Sequence, residues 1–228
     1  MCTLTWTRGG PGQLEVWFNR DENKARPIAD PPSLCELDGV KFLSPRDPQG
    51  GGTWMIANEF GLVVCLLNKW ELGEHTTLGR RKSRGQLVWN MATARGVDEL
   101  ESFLNELDHY PAFTLAGISG ENERFWEWNG EELREVKGAM PMTSSSYCFE
   151  EVREAREEVF SDGKRGSDFH GSLEEDTSAY TVRMNRPDAQ TWSRSYLRLG
   201  KVLTWEYLAE KVNLEGEPEC SLVTLSQR

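Results

Sequence analysis

Cationic residues are scarce in this chain of 228 residues: 26 lysines and arginines face 37 aspartates and glutamates, a formal net charge of −11. A surface of that sign repels phosphate backbones and anionic lipid, so no nucleic-acid partner is expected. Long apolar runs are missing too. The longest clean one, LVVCLL at residues 62–67, falls far short of the ~20 residues that a spanning helix needs, so no stable membrane insertion is expected. The start lacks a basic segment followed by an apolar one, so no secretory leader is expected. Histidine occurs three times (His75, His109 and His170), and no pair has metal-ligand spacing, so no metal site is expected. The five cysteines, Cys2, Cys35, Cys65, Cys148 and Cys220, are an odd number without metal-type spacing. They read as free thiols, which places the chain in a reducing cytoplasm. Repeats and low-complexity linkers are absent, so residues 1–228 are read as one domain. No oligomeric state follows from the pattern.

The residues that are present alternate as strands do. CTLTW (2–6) and LEVWFN (14–19) flank the turn signal RGGPG and read as a hairpin. Residues 26–53 read as loop with one short strand, VKFL. TWMIAN and FGLVVCLLN read as paired strands, the second buried on both faces because it is almost continuously apolar. Helices are expected over LVWNMATA and over DELESFLNEL, the latter capped by Asp98. Strands AFTLAGIS, RFWEWN, LREVK and MPMTSSS follow, with Asn129-Gly130 turning the hairpin between RFWEWN and LREVK. EEVREAREEVFSD reads as a charged amphipathic helix, and SAYTVRMN, TWSRSYLRL and KVLTWEYL as closing strands. This order is not β-α-β alternation. It predicts α+β architecture, antiparallel sheets packed on each other with helices outside.

The chemistry gathers at the start. If Met1 is removed, Cys2 carries both a thiol and a free α-amine, whose reference pKa of ~7.7–8 suits it to act as the thiol's own base. Asn19, Arg20 and Asp21 end the partner strand of the first hairpin, which brings them near Cys2. Arg20 would favour the thiolate, and Asp21 would hold the amine or the arginine. The alternative is plain: Cys2 as a buried strand residue, and Arg20 with Asp21 as a structural ion pair. The glycines at 50–52, Gly51 and Gly52 among them, are either an anion cradle or a flexible surface turn beside Trp54. His170 lies in a Gly- and Ser-containing stretch, DFHGS, read as a loop that a ligand could reach.

The run NRDE at Asn19–Glu22 after a Met-Cys start, Arg26-Pro27, DPQGGGTW from Asp47 to Trp54, NEFG at Asn58–Gly61, Ser83-Arg84-Gly85 and MNRPDAQTWS at Met184–Ser193 resemble the NRDE, or transport and Golgi organisation protein 2, family. The start and NEFGLVVCLLN (Asn58–Asn68) also resemble choloylglycine hydrolases and penicillin V acylases, which are N-terminal-nucleophile enzymes. That resemblance implies a four-layer αββα sandwich. It implies a catalytic set of Cys2, Arg20, Asp21 and Asn68, with Asn68 in the oxyanion hole. One departure stands out: Ser144-Ser145 occupies the place of an Asn-Ser pair in the acylases. The NRDE resemblance implies a cytosolic ligand-handling role, haem or an acyl-CoA or lipid being the cargo rather than a required cofactor. Asn19, Arg20, Gly51, Gly52, Trp54, Arg84 and His170 are then the candidate ligand contacts. The other function this start supports is an amidohydrolase that cleaves a small acyl amide.

Overall fold

The computed structural model describes residues 1–69, 82–173 and 178–228. His75 lies outside them. The strands are β1 (Cys2–Arg8), β2 (Leu14–Asn23), β3 (Asp30–Leu37), β4 (Val40–Arg46), β5 (Met55–Asn58), β6 (Val63–Asn68), β7 (Phe113–Ile118), β8 (Glu123–Trp128), β9 (Leu133–Val136), β10 (Met142–Ser144), β11 (Ala189–Leu199), β12 (Val202–Ala209) and β13 (Glu219–Ser226). The α-helices are α1 (Arg84–Asn90), α2 (Phe149–Ser161) and α3 (Gly166–His170). One six-stranded sheet runs β10-β1-β2-β11-β12-β13 and one seven-stranded sheet runs β3-β4-β5-β6-β7-β8-β9. No described helix is long and apolar enough to cross a membrane.

Period-two alternation explains the layers. From β1, Cys2, Leu4 and Trp6 enter the core between the sheets, where they meet Val63, Cys65 and Leu67 of β6. Thr3 and Thr5 point the other way and bond Arg156 of α2 and His170 of α3. In β6, Val64 and Leu66 face outward and pack beneath α1 with Leu87 and Val88. The unbroken apolar run of β6 therefore serves two cores, as expected. The result is the αββα sandwich.

The first hairpin pairs Cys2 with Arg20, and the paired strands around NEFG form as read. Asn58 builds that turn: its Oδ1 accepts the Phe60 and Leu62 amides at 3.1 Å, and its Nδ2 donates to the Ala92 and Ala94 carbonyls. Other expectations need correction. Residues 26–53 hold a hairpin, β3–β4, turned by Asp38-Gly39 with both φ angles positive. Pro31-Pro32 hides β3 in the sequence; it is tolerated because β3 is an edge strand with shifted register there. The segment over DELESFLNEL is 3₁₀ at Val97–Phe103, and Gly96, not Asp98, precedes it. SAYTVRMN keeps one bridge, Asn185 to Gln190. Thr181 Oγ1 there donates to the Ser178 and Arg183 carbonyls, a local alternative to a ladder. The unforeseen last strand, β13, has mostly exposed side chains and so lacks an apolar signature.

The glycine run divides: Gly51 lies in an exposed turn, whereas Gly52 is packed into the structure. Gly52 is buried against Gly85 at the start of α1, and Thr53 N–H donates to the Gly85 carbonyl at 3.1 Å. A Cβ on Gly52 would lie 2.3 Å from the Gly85 carbonyl carbon. Gly51 instead needs its freedom at φ +67, with open space around it. Gly52→Ala is therefore expected to cost about 1–3 kcal/mol through backbone displacement, and Gly51→Ala about 1–2 kcal/mol through left-handed strain alone. Urea unfolding measures both, and only Gly52→Ala should also alter the cavity beside α1.

Candidate active site at the N-terminal cysteine

Cys2 begins β1 between two neighbours, opposite Arg20 of β2 and Ser144 of β10. Its side chain lines a cavity of about 310 Å³ shared with Arg20, Gly52, Trp54, Asn68 and Arg84. With Asp21, seven of the candidate residues thus meet in one place. Burial pushes the Cys2 thiol up to about 11, and the Asp21 carboxylate adds to this; the terminal ammonium, Arg20 and the Asp21 amide pull the other way and lose. In this form Cys2 is a protonated, weak nucleophile.

Arg20 and Asp21 do not pair with each other. The Arg20 guanidinium lies 4.4 Å over the Trp54 ring and reaches Glu22 at 3.3 Å and Asp47 at 4.0 Å. Arg26 pairs with the same Asp47 and with Glu22. Burial alone would raise the Asp47 carboxyl, but hydrogen bonds from Arg26 and Gly50 and the charge of Arg20 hold it below its usual range. Asp21 instead meets Arg156 of α2: Nη2 lies 3.3 Å from Asp21 Oδ2, and both side chains are fully buried. Arg156 also donates to Thr3 Oγ1 at 2.5 Å and to the Ala179 carbonyl at 3.1 Å. Thr191, within the MNRPDAQTWS run, donates to Asp21 Oδ1 at 2.7 Å. Arg156 is hidden in the sequence because α2 is heavily charged. The available signal was its position four residues after Val152, on the same buried face.

Met1 is built into this arrangement. Its ammonium donates to the Asp21 carbonyl at 3.0 Å, and the Asp21 amide returns a bond to the Met1 carbonyl at 2.9 Å. Its side chain is buried with Val152, Ala179, Met184 and Ala189. Trp54 contributes an indole Nε1 that is buried without a partner among the described residues. Arg84 Nη1 donates to the Ala112 carbonyl at 2.6 Å, which anchors it on the cavity wall.

Three expected contacts lie elsewhere. Gly51 is exposed, and its amide bonds the Asp47 carbonyl. His170 is no loop residue open to a ligand; it ends α3 and is 1% exposed. Its Nδ1 bonds Asn19 Oδ1 at 2.9 Å and its Nε2 bonds Thr5 Oγ1 at 2.8 Å. Asn19 is turned the same way and donates to the His170 and Val182 carbonyls. Alternation along β2 decides this, because Arg20 faces the cavity and its neighbour must face α3. Burial, helped by the charges of Arg194 and Arg156, pushes the His170 pKa down to about 3. Among the described residues, no three His, Cys, Asp or Glu side chains gather into a metal-ligand set.

Two outcomes follow for titration. The folded chain refuses a proton at His170 that the unfolded chain takes below about pH 6.5, so its share of stability is present at neutral pH and lost as pH falls toward 3. His170→Gln should flatten the fall in unfolding free energy between pH 6 and 4 by up to about 1.4 kcal/mol per pH unit. With Met1 present, alkylation of Cys2 by iodoacetamide, followed by peptide mass mapping, should rise about tenfold per pH unit and level off only near the thiol pKa.

Solved structures with this fold agree with the architecture. A mutant of the conjugated bile acid hydrolase from Clostridium perfringens matches with TM-score 0.55 at 13% identity, covering 99% of this chain and 92% of that one. Penicillin V acylase from Agrobacterium tumefaciens matches with TM-score 0.57 at 11% identity, covering 98% and 86%. The Caenorhabditis elegans orthologue of N-acylethanolamine-hydrolyzing acid amidase matches with TM-score 0.58 at 11% identity, covering 86% and 92%. At such identities the likeness shows the fold, the sandwich of N-terminal-nucleophile hydrolases. No curated protein sequence matches the chain. The model of the family described as transport and Golgi organisation 2 matches residues 1–160, and this chain belongs to that family.

Proposed function

We propose that the chain, once Met1 is removed, is a cysteine N-terminal-nucleophile amidohydrolase acting on a small acyl amide. The observation that carries this reading is the shared cavity of Cys2 and Asn68, with Cys2 held at the start of β1 opposite Arg20. Loss of Met1 turns the Cys2 main-chain nitrogen into an amine with a reference pKa of ~7.7–8, a base matched to neutral pH. The amine takes the thiol proton and the sulfur attacks the amide carbonyl. The carbonyl electron pair moves to oxygen, where Asn68 Nδ2 donates to it. Collapse breaks the C–N bond, and the α-ammonium returns its proton to the leaving amine. Water then opens the thioester, giving a carboxylic acid and the free thiol.

The haem- or acyl-CoA-carrying role that the family resemblance implies finds less support. His170 is enclosed, and Arg20 and Arg26 are already matched by Glu22 and Asp47. The cavity, about 310 Å³, sits at the small end of the ~300–1,000 Å³ range of ligand pockets. All five cysteines are free, which supports the reducing, cytoplasmic setting expected for a reactive thiol.

Mass spectrometry of the purified chain reads whether Met1 is gone. The Met1-free form should release p-nitroaniline from acyl p-nitroanilides. Cys2→Ala should abolish release, and Asn68→Ala should lower kcat by about 10²-fold. A stoichiometric Soret shift on haem titration, together with no amide cleavage by the Met1-free form, would overturn the reading.

A further inference from the structure

The edge of a sheet presents open backbone donors and acceptors, and folded chains blunt it so that copies do not pair through it. Four strands are edges here: β10 and β13 of one sheet, β3 and β9 of the other. Three are blunted. β10 has only three residues. β9 has four and carries Arg134 and Glu135. β3 carries Pro31-Pro32 and a shifted register. β13 has none of these devices. It runs eight residues, ECSLVTLS, in unbroken register with β12 and without proline, and its one charge, Glu219, is matched by Lys211. Among the described residues, no backbone hydrogen bond reaches residues 219–226 apart from the ladder with β12.

Two apolar side chains stand open on this side of the sandwich. Leu222, midway along β13, is 68% exposed. Leu34 of β3 lies opposite Leu43, which is buried in the inter-sheet core, and directly opposed residues share a face. Leu34 therefore points between the sheets, yet it is 60% exposed, because nothing described closes the side where β13 packs over β3 and β4. Electrostatics select what can close it. The chain carries a net charge of −11, so two copies repel each other over most of their surfaces. Residues 220–226 form an uncharged strip in that acidic surface. Antiparallel pairing of two such strips sends Glu215, Glu217 and Glu219 of the two copies to opposite ends, each group beside the exposed Arg228 of the other copy. Parallel pairing would set the acidic groups face to face.

We propose that the β13 edge is the docking surface for a second copy of this chain, added antiparallel and two-fold about Leu222, so that the two β13 sheets join into one continuous sheet. In that register the two Leu222 side chains cover each other, and Cys220 of each copy lies opposite Thr224 of the other. The approach also brings the two β3 edges together over Leu34. The contact uses the same patch on both copies, so it closes on itself and stops at a dimer.

Sedimentation equilibrium of the full chain over a dilution series, at low and at high sodium chloride, tests this. A monomer–dimer equilibrium is expected, and it should tighten as salt rises, because screening removes the repulsion between two acidic bodies. Leu222→Lys should weaken dimerisation about tenfold or more while leaving urea unfolding of the monomer unchanged. Phe149→Lys, equally charged but at the exposed start of α2 beside the opposite edge, should leave dimerisation as it is. In a Cys220→Ser background, Leu222→Cys should cross-link under oxidised glutathione, two thiols giving one intermolecular disulfide as the oxidant becomes two reduced glutathiones. Wild-type Cys220 should not, since pairing about Leu222 leaves the two Cys220 residues about 13 Å apart along the strands, beyond the ~7 Å that a disulfide spans. A monomer at every dilution and salt would overturn the inference. So would a dimer that Leu222→Lys leaves intact and Leu222→Cys does not cross-link.

Discussion

The buried pair of Asp21 and Arg156 is the contact on which the site depends. Through one guanidinium, α2 is tied to β1 at Thr3, to β2 at Asp21 and to the irregular segment at Ala179. Thr191 of β11 takes the other carboxylate oxygen. Neither charge is exposed, so removing one partner strands the other in a low dielectric, a loss of about 3–5 kcal/mol. The geometry around Met1 and Cys2 is thereby set by an interaction that the fold cannot give up cheaply.

The same burial governs chemistry. It drives the Cys2 thiol to about 11 and the His170 ring to about 3, opposite directions with one cause, because burial disfavours the charged form of each. The two consequences differ in kind. His170 is held neutral by two hydrogen-bonded neighbours and serves the wall behind the site. Cys2 has no such partner side chain, and burial outweighs the ammonium and guanidinium charges that would favour its thiolate. Retained Met1 places the terminal amine one residue away, bound to the Asp21 carbonyl.

Much of this was legible in the chain. The alternation of CTLTW and LEVWFN predicts the hairpin, and the hairpin predicts that residues at 20 lie beside residue 2. The unbroken run in NEFGLVVCLLN predicts a strand shared by two cores. Where local signals mislead, the reason is local as well. Pro31-Pro32 masks an edge strand, the exposed faces of β13 erase its apolar signature, and DELESFLNEL winds as 3₁₀ although its spacing suits an α-helix.

The sequence by itself determined the place of Cys2, the strand that presents it and the antiparallel layers, since all three rest on neighbours close in the chain or on period-two patterning. Tertiary structure alone decided the partners. Arg20 and Asp21 are adjacent in sequence yet face opposite sides of a pleated strand, so one stacks on Trp54 and the other meets Arg156, 135 residues away. Asn19 and His170 turn from the cavity to each other for the same reason. Ser144 comes to stand beside Cys2 only because β10 adds to the edge of the sheet. Side-chain direction and long-range pairing are properties of the packed sheets, and no local pattern encodes them.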